Sequence, residues 1–395
     1  MLSSLRFHNA SIIIQCLGGF WSVGLASKIS DILYTNLLTL SFSLIHSYSS
    51  SLLNTTRITN DYKQYALEMP EQSEKLKILV THPATPQAAI DLLSRDYEVI
   101  FCQSVPPIRS EILEKCNGMH AVLWATHLPL DKGILDAIGP QLKVVSTRSG
   151  GTDFVDVEEF KRRKILLGHT PSVQNDAVAN MAVGLLLAAA RRFHEGRLKI
   201  ETNNWETYTL NWLLGQDLRD SVVGFYGFGG IAQTIAKRLS GFDIDSVLYT
   251  TRSRVSEEIE KQYNAKKVDF DTMLAQSDFV IIASPLTKET AGVFNATAFG
   301  KMKKTAVLVN IARGGVVNQQ DLYEALKTKQ IFAAGLDVMT PEPLPPNDPL
   351  LSLPNVVLMP HIGSATKRTR DDIAVLAAKN ILHGLTGKPM PAPVY

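Results

Sequence analysis

Three ionisable residues in the last quarter of the chain, Arg313, Glu342 and His361, are of the types that act on a small anion. Arginine can hold a carboxylate through two parallel hydrogen bonds. Histidine changes charge closest to neutral pH, and a neighbouring carboxylate would favour its protonated form and fix its orientation. Together they suit reduction of a 2-oxo acid, with Arg313 clamping the carboxylate and polarising the carbonyl while His361 delivers a proton.

The elements that must position these residues are short apolar runs, and each residue lies just past one of them. The runs are Thr305–Asn310, Ile331–Val338 and Asn355–Met359. Such runs are typical of parallel strands buried on both faces, and ligands bind beyond the carboxyl ends of those strands. Alone, the three residues could be a turn residue, a solvated acid and a core histidine. Their shared position on one sheet predicts a single site.

A glycine-rich turn lies upstream of these runs. The strand-like segment Ser221–Tyr226 leads into Gly227-Phe228-Gly229-Gly230-Ile231-Ala232, followed by a helical run to Leu239 and a second strand at Ser246–Thr250. Gly227 permits the tight turn and Gly229 allows the backbone to approach a pyrophosphate, while the helix N-terminus offers free N–H groups. This strand–turn–helix–strand order predicts a dinucleotide site.

The residues after the second strand predict which dinucleotide binds. An NAD site normally has Asp or Glu there, whereas this chain continues Thr251-Arg252-Ser253-Arg254. Arg252 could hold a 2′-phosphate, with Thr251 and Ser253 donating hydrogen bonds. A solvated basic turn is the simpler alternative. The position after the fingerprint favours NADPH over NADH.

The rest of the chain predicts an α/β organisation in two units. A first unit begins with the strand Leu76–Val80 and the helix Pro86–Leu93, and a buried helix at Ala177–Ala190 leads into the second unit. A last helix is predicted at Asp371–Leu385. Further strands of the first unit are predicted at Glu98–Phe101, Ala121–Trp124 and Leu142–Ser146.

Composition narrows the class of protein. A chain of 395 residues is long enough for two domains. A net charge of +2 and the lack of a basic block argue against a nucleic-acid partner. Cys16, Cys102 and Cys116 show no CxxC spacing, so we expect no disulfide framework, no metal site and a reducing compartment.

Residues 1–75 differ from the rest, with abundant Ser, Thr, Leu and Ile and one acid, Asp31, before Asp61. Their apolar stretches are too interrupted for a membrane span. A disordered extension, a secretory signal and a mitochondrial presequence all remain open. We assign this segment no function and expect a cytoplasmic protein, or a mitochondrial one if the segment is a presequence.

Five segments resemble the D-isomer-specific 2-hydroxyacid dehydrogenase family, and within it the reductases of glyoxylate and hydroxypyruvate. They are VVGFYGFGGIA, SDFVIIASPLT, VLVNIARGGVVNQQDLYEAL, AAGLDVMTPEPLP and LMPHIGSAT. The resemblance implies two Rossmann-like or flavodoxin-like α/β domains with parallel sheets, the cofactor domain being inserted into the substrate domain. It places the substrate domain at 76–175 and 367–395 and the NAD(P)-binding domain at 176–366.

The resemblance also implies roles for individual residues. Arg313, Glu342 and His361 would be catalytic, and the Gly150-Gly151 loop would bind the substrate carboxylate through its N–H groups. The protein would be a homodimer in which Trp212 reaches the partner's active site. Cofactor contacts are implied for the residues of the fingerprint and basic turn and for Pro285, Ile311, Asp337, Gly363 and Ser364.

The sequence leaves alternatives for the preferred substrate and for the class of activity. Gly150 is smaller than the family's usual apolar residue, Gly315 replaces a frequent acid, and Asn180 stands where relatives often carry Glu. We expect NADPH-dependent reduction of glyoxylate to glycolate and of hydroxypyruvate to D-glycerate. A phosphoglycerate dehydrogenase, or an NAD-sensing corepressor-type scaffold of the same fold, is the alternative; the lack of an acid after the second strand counts against both.

Overall fold

The computed structural model describes residues 75–206 and 209–395. The N-terminal part of this region forms a five-stranded parallel sheet. The strands are β1 Lys77–Val80, β2 Glu98–Phe101, β3 Ala121–Trp124, β4 Val144–Thr147 and β5 Leu166–Gly168. They lie in the order β2-β1-β3-β4-β5, all parallel. The predictions made for residues 1–74 lie outside the described residues.

A second, seven-stranded parallel sheet follows. Its strands are β6 Val222–Tyr226, β7 Ser246–Thr250, β8 Ala265–Lys267, β9 Phe279–Ile282, β10 Val307–Asn310, β11 Ala333–Leu336 and β12 Val356–Leu358. Their order is β12-β11-β10-β9-β6-β7-β8. Strands β7 and β8 are added on one side of β6, and strands β9 to β12 are added on the other side. Two parallel α/β sheets confirm the predicted fold class.

Helices connect the strands. They are α1 Gln87–Leu93, α2 Arg109–Lys115, α3 Lys132–Ile138, α4 Val157–Arg163, α5 Asn175–Ala190, α6 Phe193–Glu201, α7 Gly230–Leu239, α8 Glu257–Tyr263, α9 Phe270–Gln276, α10 Ala296–Lys301, α11 Gln319–Lys327 and α12 Lys367–Thr386. Across the described ranges, none of them combines the length and apolar character needed to cross a bilayer.

The apolar runs form strands that are buried in the core. Every residue of β3, β9 and β10 is buried, as expected for parallel strands covered on both faces. The predicted buried helix is α5, which packs directly on β11. A Cβ added at Gly335 would lie 2.9 Å from the backbone oxygen of Leu185, so glycine allows this close approach.

The last helix, α12, packs on the first sheet and returns the chain to it. Buried Asn380 donates to Ser146 Oγ at 3.1 Å and to the His169 carbonyl at 2.9 Å. Val394 N–H then donates to the carbonyl of Leu167 in β5. The second sheet therefore lies in the chain between the first sheet and the helix α12 that packs on that first sheet. The domain boundaries at 176 and 367 stay predictions.

The start of α12 differs from its prediction at Asp371. The helix begins at Lys367, because the Thr366 side chain caps it by accepting from Thr369 N–H and Lys367 pairs with Asp371 one turn later. The first turn carries charge rather than apolar periodicity, so periodicity alone placed the start four residues late.

Candidate active site

The carboxyl ends of both sheets border one cleft of about 1160 Å³. The first sheet contributes His127 after β3 and residues 148–153 after β4. The second contributes the turn after β6 and the segments carrying Arg313, Glu342 and His361. The structure thus brings the three predicted catalytic residues together.

The glycine turn after β6 has the geometry of a phosphate cradle. Gly227 has φ +93°, and a Cβ there would lie 2.7 Å from the Ala283 carbonyl oxygen, so only glycine fits. A Cβ at Gly229 would meet no atom within 4 Å. Gly229 is the N-cap of α7 and provides no side-chain cap, so the first N–H groups of that helix are available to an anion.

The other fingerprint residues divide between cleft and core. Gly230 and Ile231 line the cleft. The Phe228 side chain is instead buried against Phe225 and stacks on Tyr249 with ring centroids 4.8 Å apart. Only the backbone of Phe228 is therefore placed to contact a cofactor.

The two arginines of the basic turn after β7 have different surroundings. Arg254 forms a salt bridge with Glu260 at 2.7 Å, and Glu260 also accepts from Tyr249 Oη at 2.6 Å. These two hydrogen bonds lower the pKa of Glu260 to about 2. Arg252 is exposed, and its guanidinium forms no hydrogen bond or ion pair with any residue in the described ranges. Of the pair, Arg252 is the one free to bind a phosphate.

Neighbouring hydroxyls in this turn are partly engaged. Thr251 Oγ1 donates to the Ser253 carbonyl at 2.6 Å, which closes the turn around Arg252. Thr250 Oγ1 donates to the Val268 carbonyl at 3.0 Å. The Thr251 proton is therefore not available to a 2′-phosphate, contrary to the sequence prediction, and Ser253 and Arg252 are the predicted donors that stay free among the described residues.

The remaining residues assigned by resemblance differ in position. The cleft is lined by Pro285, Ile311, Asp337, Gly363 and Ser364. Trp212 is partly exposed and does not line it. Its contribution to a partner's site stays a prediction.

His361 and Glu342 form a hydrogen-bonded pair. Nδ1 of His361 lies 2.7 Å from Oε2 of Glu342, and Oε1 of Glu342 accepts from Met339 N–H at 3.1 Å. Burial raises the pKa of Glu342, but the hydrogen bond and charge of His361 outweigh it, so the pKa lies below its ordinary value. With Nδ1 bound to Glu342, Nε2 is the ring atom left to exchange a proton with a ligand.

Asp337 fixes the backbone that carries His361. Its two carboxylate oxygens accept from the N–H groups of Ile362 and Gly363, each at 2.8 Å, and its backbone carbonyl accepts from His361 N–H. His361 itself has φ +54°, a left-handed conformation that few non-glycine residues adopt. Burial raises the pKa of Asp337 despite these bonds. The carboxylate thus holds the turn that aims the imidazole.

Arg313 spans the cleft. Its Nε lies 3.2 Å from both carboxylate oxygens of Asp153, which follows β4, and its Nη1 donates to the Ala312 carbonyl. A Cβ at Gly151 would lie 2.5 Å from Arg313 Nη2, so glycine lets the guanidinium lie against the substrate-side loop. Gly151 N–H donates to Ser149 Oγ at 3.1 Å, an interaction that an incoming carboxylate could replace.

The space left by Gly150 is filled. A Cβ there would lie 2.3 Å from Nε2 of Gln174, so the Gln174 amide occupies the volume of the usual apolar side chain. Oε1 of Gln174 is buried without a hydrogen-bond partner. This wall of the cleft is therefore polar.

Sequence reasoning missed three basic residues of the cleft, His127, Arg148 and Arg370. His127 stacks on His361 with ring centroids 5.5 Å apart, and its pKa is lowered by burial and by the charges of His361 and Arg313. Both His127 and Arg148 follow predicted strands, so applying the strand-end rule to the first sheet would have found them. Arg370 lies in the first turn of α12, and no sequence signal marks it.

A sequence model described as "D-isomer specific 2-hydroxyacid dehydrogenase, NAD binding domain" matches residues 183–363. The chain is 45% identical over 319 residues to a human protein named glyoxylate reductase/hydroxypyruvate reductase, covering 80% of this chain and 97% of that one. It is 41% identical over 321 residues to a glyoxylate reductase of Thermofilum pendens, covering 80% and 94%.

Solved structures have the same fold. A protein from Thermus thermophilus aligns with a TM-score of 0.74 and 35% identity, over 81% of this chain and all of that one. An NADPH-dependent glyoxylate/hydroxypyruvate reductase from Sinorhizobium meliloti, in complex with NADP and malonate, aligns with a TM-score of 0.70 and 28% identity, over 81% and 97%. The chain therefore belongs to the D-isomer specific 2-hydroxyacid dehydrogenase family of oxidoreductases.

Proposed function

We propose that this protein uses NADPH to reduce glyoxylate to glycolate and hydroxypyruvate to D-glycerate. The observation that carries the proposal is the His361–Glu342 pair at 2.7 Å, facing Arg313 in a cleft that begins at a dinucleotide turn. The relative with 45% identity is named for reduction of both acids and the relative with 41% identity for reduction of glyoxylate, which supports the substrate class.

The turn after β6 suits a dinucleotide. The open space at Gly229 and the uncapped start of α7 fit a pyrophosphate, and Arg252 fits a 2′-phosphate. When bound, the cofactor supplies the hydride, which goes to the substrate's carbonyl carbon. The neighbour solved with NADP is named NADPH-dependent, which supports the same choice here.

His361 delivers the proton. Glu342 accepts the Nδ1 proton, so the imidazolium carries its transferable proton on Nε2, to which no described residue is hydrogen-bonded. That proton goes to the carbonyl oxygen as the alkoxide develops. Afterwards Nδ1 keeps its proton and its hydrogen bond to Glu342, and Nε2 is reprotonated from solvent.

Arg313 binds the substrate carboxylate and polarises the carbonyl. Asp153 holds its Nε side, so the guanidinium is oriented before substrate arrives. The adjoining Gly150-Gly151 backbone supplies further N–H donors. A small 2-oxo acid is thus held through its carboxylate, with the carbonyl directed at His361.

The test is the purified full chain with NADPH and a panel of 2-oxo acids, followed at the nicotinamide absorbance. We expect oxidation of NADPH with glyoxylate and hydroxypyruvate. His361→Ala should abolish turnover while NADPH affinity stays within about twofold, since the histidine lies away from the phosphate cradle. Wild-type protein that binds cofactor but reduces none of the acids would favour the scaffold alternative.

Cofactor choice is tested separately. Arg252→Ala should lower kcat/KM for NADPH by about 10- to 100-fold, the value of a charge-assisted contact, and leave NADH kinetics nearly unchanged. Arg219→Ala, at an exposed arginine outside the cleft, is the matched control. A wild-type preference for NADH would contradict the NADPH assignment.

We also propose a homodimer. Large apolar side chains are exposed on α6 and the following segment, an arrangement typical of an interface. They are Phe193, Ile200, Trp205, Leu210 and Leu214. Sedimentation velocity should give twice the chain mass, and Trp212→Ala should raise KM without changing NADPH affinity. A monomer with full activity would refute both points.

A further inference from the structure

The charged groups of the cleft are unevenly paired. Its acids are each engaged: Asp153 by Arg313, Glu342 by His361, and Asp337 by two backbone N–H groups. These partners account for one of the three arginines that line the cleft. The other two arginines, Arg148 and Arg370, have no acid of their own.

Neither of these guanidiniums has a partner in the described part of the chain. The side chains of Arg148 and Arg370 make no hydrogen bond or ion pair with residues 75–206 or 209–395, and Nε of Arg148 is buried. The negative charge of Asp337 raises the pKa of Arg370, but the two side chains form no ion pair. Removing a cation from water without giving it a partner is costly, so these two half-buried arginines are arranged for something that binds.

Electrostatics shows that the two arginines are close enough to repel. Burial, and then the charge of Arg370, lower the pKa of Arg148 to about 10. Burial likewise lowers the pKa of Arg370. Burial and the charge of Arg148 also lower the pKa of His82. Arg148 and His82 therefore each experience the positive charge of a neighbouring arginine, which an anion bound between Arg148 and Arg370 would offset.

We propose that Arg148 and Arg370 form a second anion subsite, which holds a carboxylate or phosphate at the far end of the 2-oxo acid. This inference rests on the proposed function, in which Arg313 and the Gly150-Gly151 loop take the C1 carboxylate. Arg148 directly precedes that loop, about two residues or 7 Å of chain from Gly150. The subsite is therefore adjacent to the C1 site, as a short dianionic substrate requires.

Guanidinium chemistry fits this role. Each arginine offers a planar fork that can bind both oxygens of a carboxylate or phosphate, and two forks can share one anion. The Arg148 Nε that is buried and unpaired in the structure would gain a partner. A neutral tail would leave both cations unpaired, so the subsite selects for charge.

The experiment compares pairs of substrates with the same number of carbon atoms. Oxaloacetate against 2-oxobutyrate tests a carboxylate tail, and phosphohydroxypyruvate against hydroxypyruvate tests a phosphate tail. We expect wild-type kcat/KM to favour at least one anionic member of these pairs. Arg148→Met should lower that preference about 10- to 100-fold, while kcat/KM for the neutral member stays within about threefold.

Controls separate binding from folding. Arg148→Lys, which keeps the charge and loses the fork, should give an intermediate preference. Arg95→Gln, at an exposed arginine outside the cleft, should change nothing. Arg148→Met should unfold at or above the wild-type temperature, because it removes an unpaired buried charge. In Arg148→Met/Arg370→Met the losses should be less than additive, since both residues hold one anion.

Two results would overturn the subsite. One is a wild type with no preference for an anionic tail in either pair. The other is an Arg148→Met variant that loses activity equally on both members of a pair, which would assign the arginine to the C1 carboxylate. Calorimetric binding of succinate against butyrate needs no turnover. Tighter binding of succinate by wild type, lost in Arg148→Met, would support the subsite even if glyoxylate and hydroxypyruvate were not reduced.

Discussion

Replacing Glu342 by Gln tests whether this carboxylate keeps His361 ready to donate a proton. The wild-type oxygens accept in two directions, from His361 Nδ1 at 2.7 Å and from Met339 N–H at 3.1 Å. Glutamine has one acceptor oxygen. Met339 N–H can only donate, so the amide oxygen should turn towards it and leave the NH₂ group facing Nδ1. A protonated Nδ1 would then face a donor, which disfavours the imidazolium.

The size of the effect follows from the bond that is lost. Hydrogen bonds to charged groups contribute about 1.5–3 kcal/mol. The two side chains are 31% and 33% exposed, so solvent screens the pair and the lower part of that range applies, about 1.5–2 kcal/mol. At 1.36 kcal/mol per factor of ten, kcat should fall by about 10- to 30-fold. KM should change little, because the groups proposed to hold the carboxylate are Arg313 and the Gly150-Gly151 loop.

The assay is steady-state reduction of hydroxypyruvate at neutral pH with saturating NADPH. Glu114→Gln, an exposed acid on α2, is the control for losing one negative charge and should be indistinguishable from wild type. NADPH affinity should be the same in all three proteins. A Glu342→Gln variant with kcat within twofold of wild type would refute the orienting role.

The same pair predicts a pH dependence of stability. The pKa of Glu342 is lower in the folded protein than its ordinary value, so its stabilising contribution is complete above the ordinary range and is lost as pH falls through the lowered pKa. The difference in unfolding free energy between wild type and Glu342→Gln should therefore shrink as pH falls below about 4. A difference that grows on acidification would contradict the assigned direction.

Three further predictions concern the surroundings of the site. Gly151→Ala would place a Cβ 2.5 Å from Arg313 Nη2, so kcat/KM should fall at least about tenfold with unchanged NADPH binding in a fluorescence titration. Asp337→Asn loses one of two acceptors for backbone N–H groups, so urea unfolding should show a loss of about 1–3 kcal/mol, and kcat should fall as the His361 turn shifts. Cys102 is fully buried, and burial raises its pKa to about 11, so thiol reagents at pH 8 should label it only after the protein unfolds.

The strands, and the meeting of Arg313, Glu342 and His361 in one cleft, were predictable because parallel strands buried on both faces have a distinct sequence pattern. The runs at Glu98–Phe101 and Ala121–Trp124 match β2 and β3 at both ends. Since functional residues follow strand ends, placing the strands also placed Arg313 and His361. Local sequence was sufficient for these features.

Features that depend on distant partners were not predictable. Arg252 and Arg254 are equivalent in sequence, and the difference between them is that Glu260, which also accepts a hydrogen bond from Tyr249, engages only Arg254. Phe228 stands inside the fingerprint, yet its ring packs into the core. Single-sequence reasoning sees residue types and spacing, whereas pairing of charges is settled by tertiary structure.

The strand order of the second sheet was also outside the reach of local pattern. The apolar pattern of the strands does not predict that β9 pairs with β6 rather than with β8. That pairing creates the crevice in which the glycine turn after β6 and the segment after β9 lie side by side, as the 2.7 Å approach of a Gly227 Cβ to Ala283 shows.

Two contacts across the cleft connect Arg313 and His361 to residues that follow strands of the first sheet. Arg313, which follows β10, is held by Asp153, which follows β4, and His361 is stacked on His127, which follows β3. Both of these proposed catalytic side chains on the second sheet are therefore contacted by residues that follow strands of the first. A relative movement that separated the ends of β4 and β10 would break the Arg313–Asp153 bond and lift His127 from the imidazole. Catalytic geometry and cleft geometry are thus coupled, and variants at Asp153 or His127 should reduce kcat even if neither residue contacts the reacting atoms.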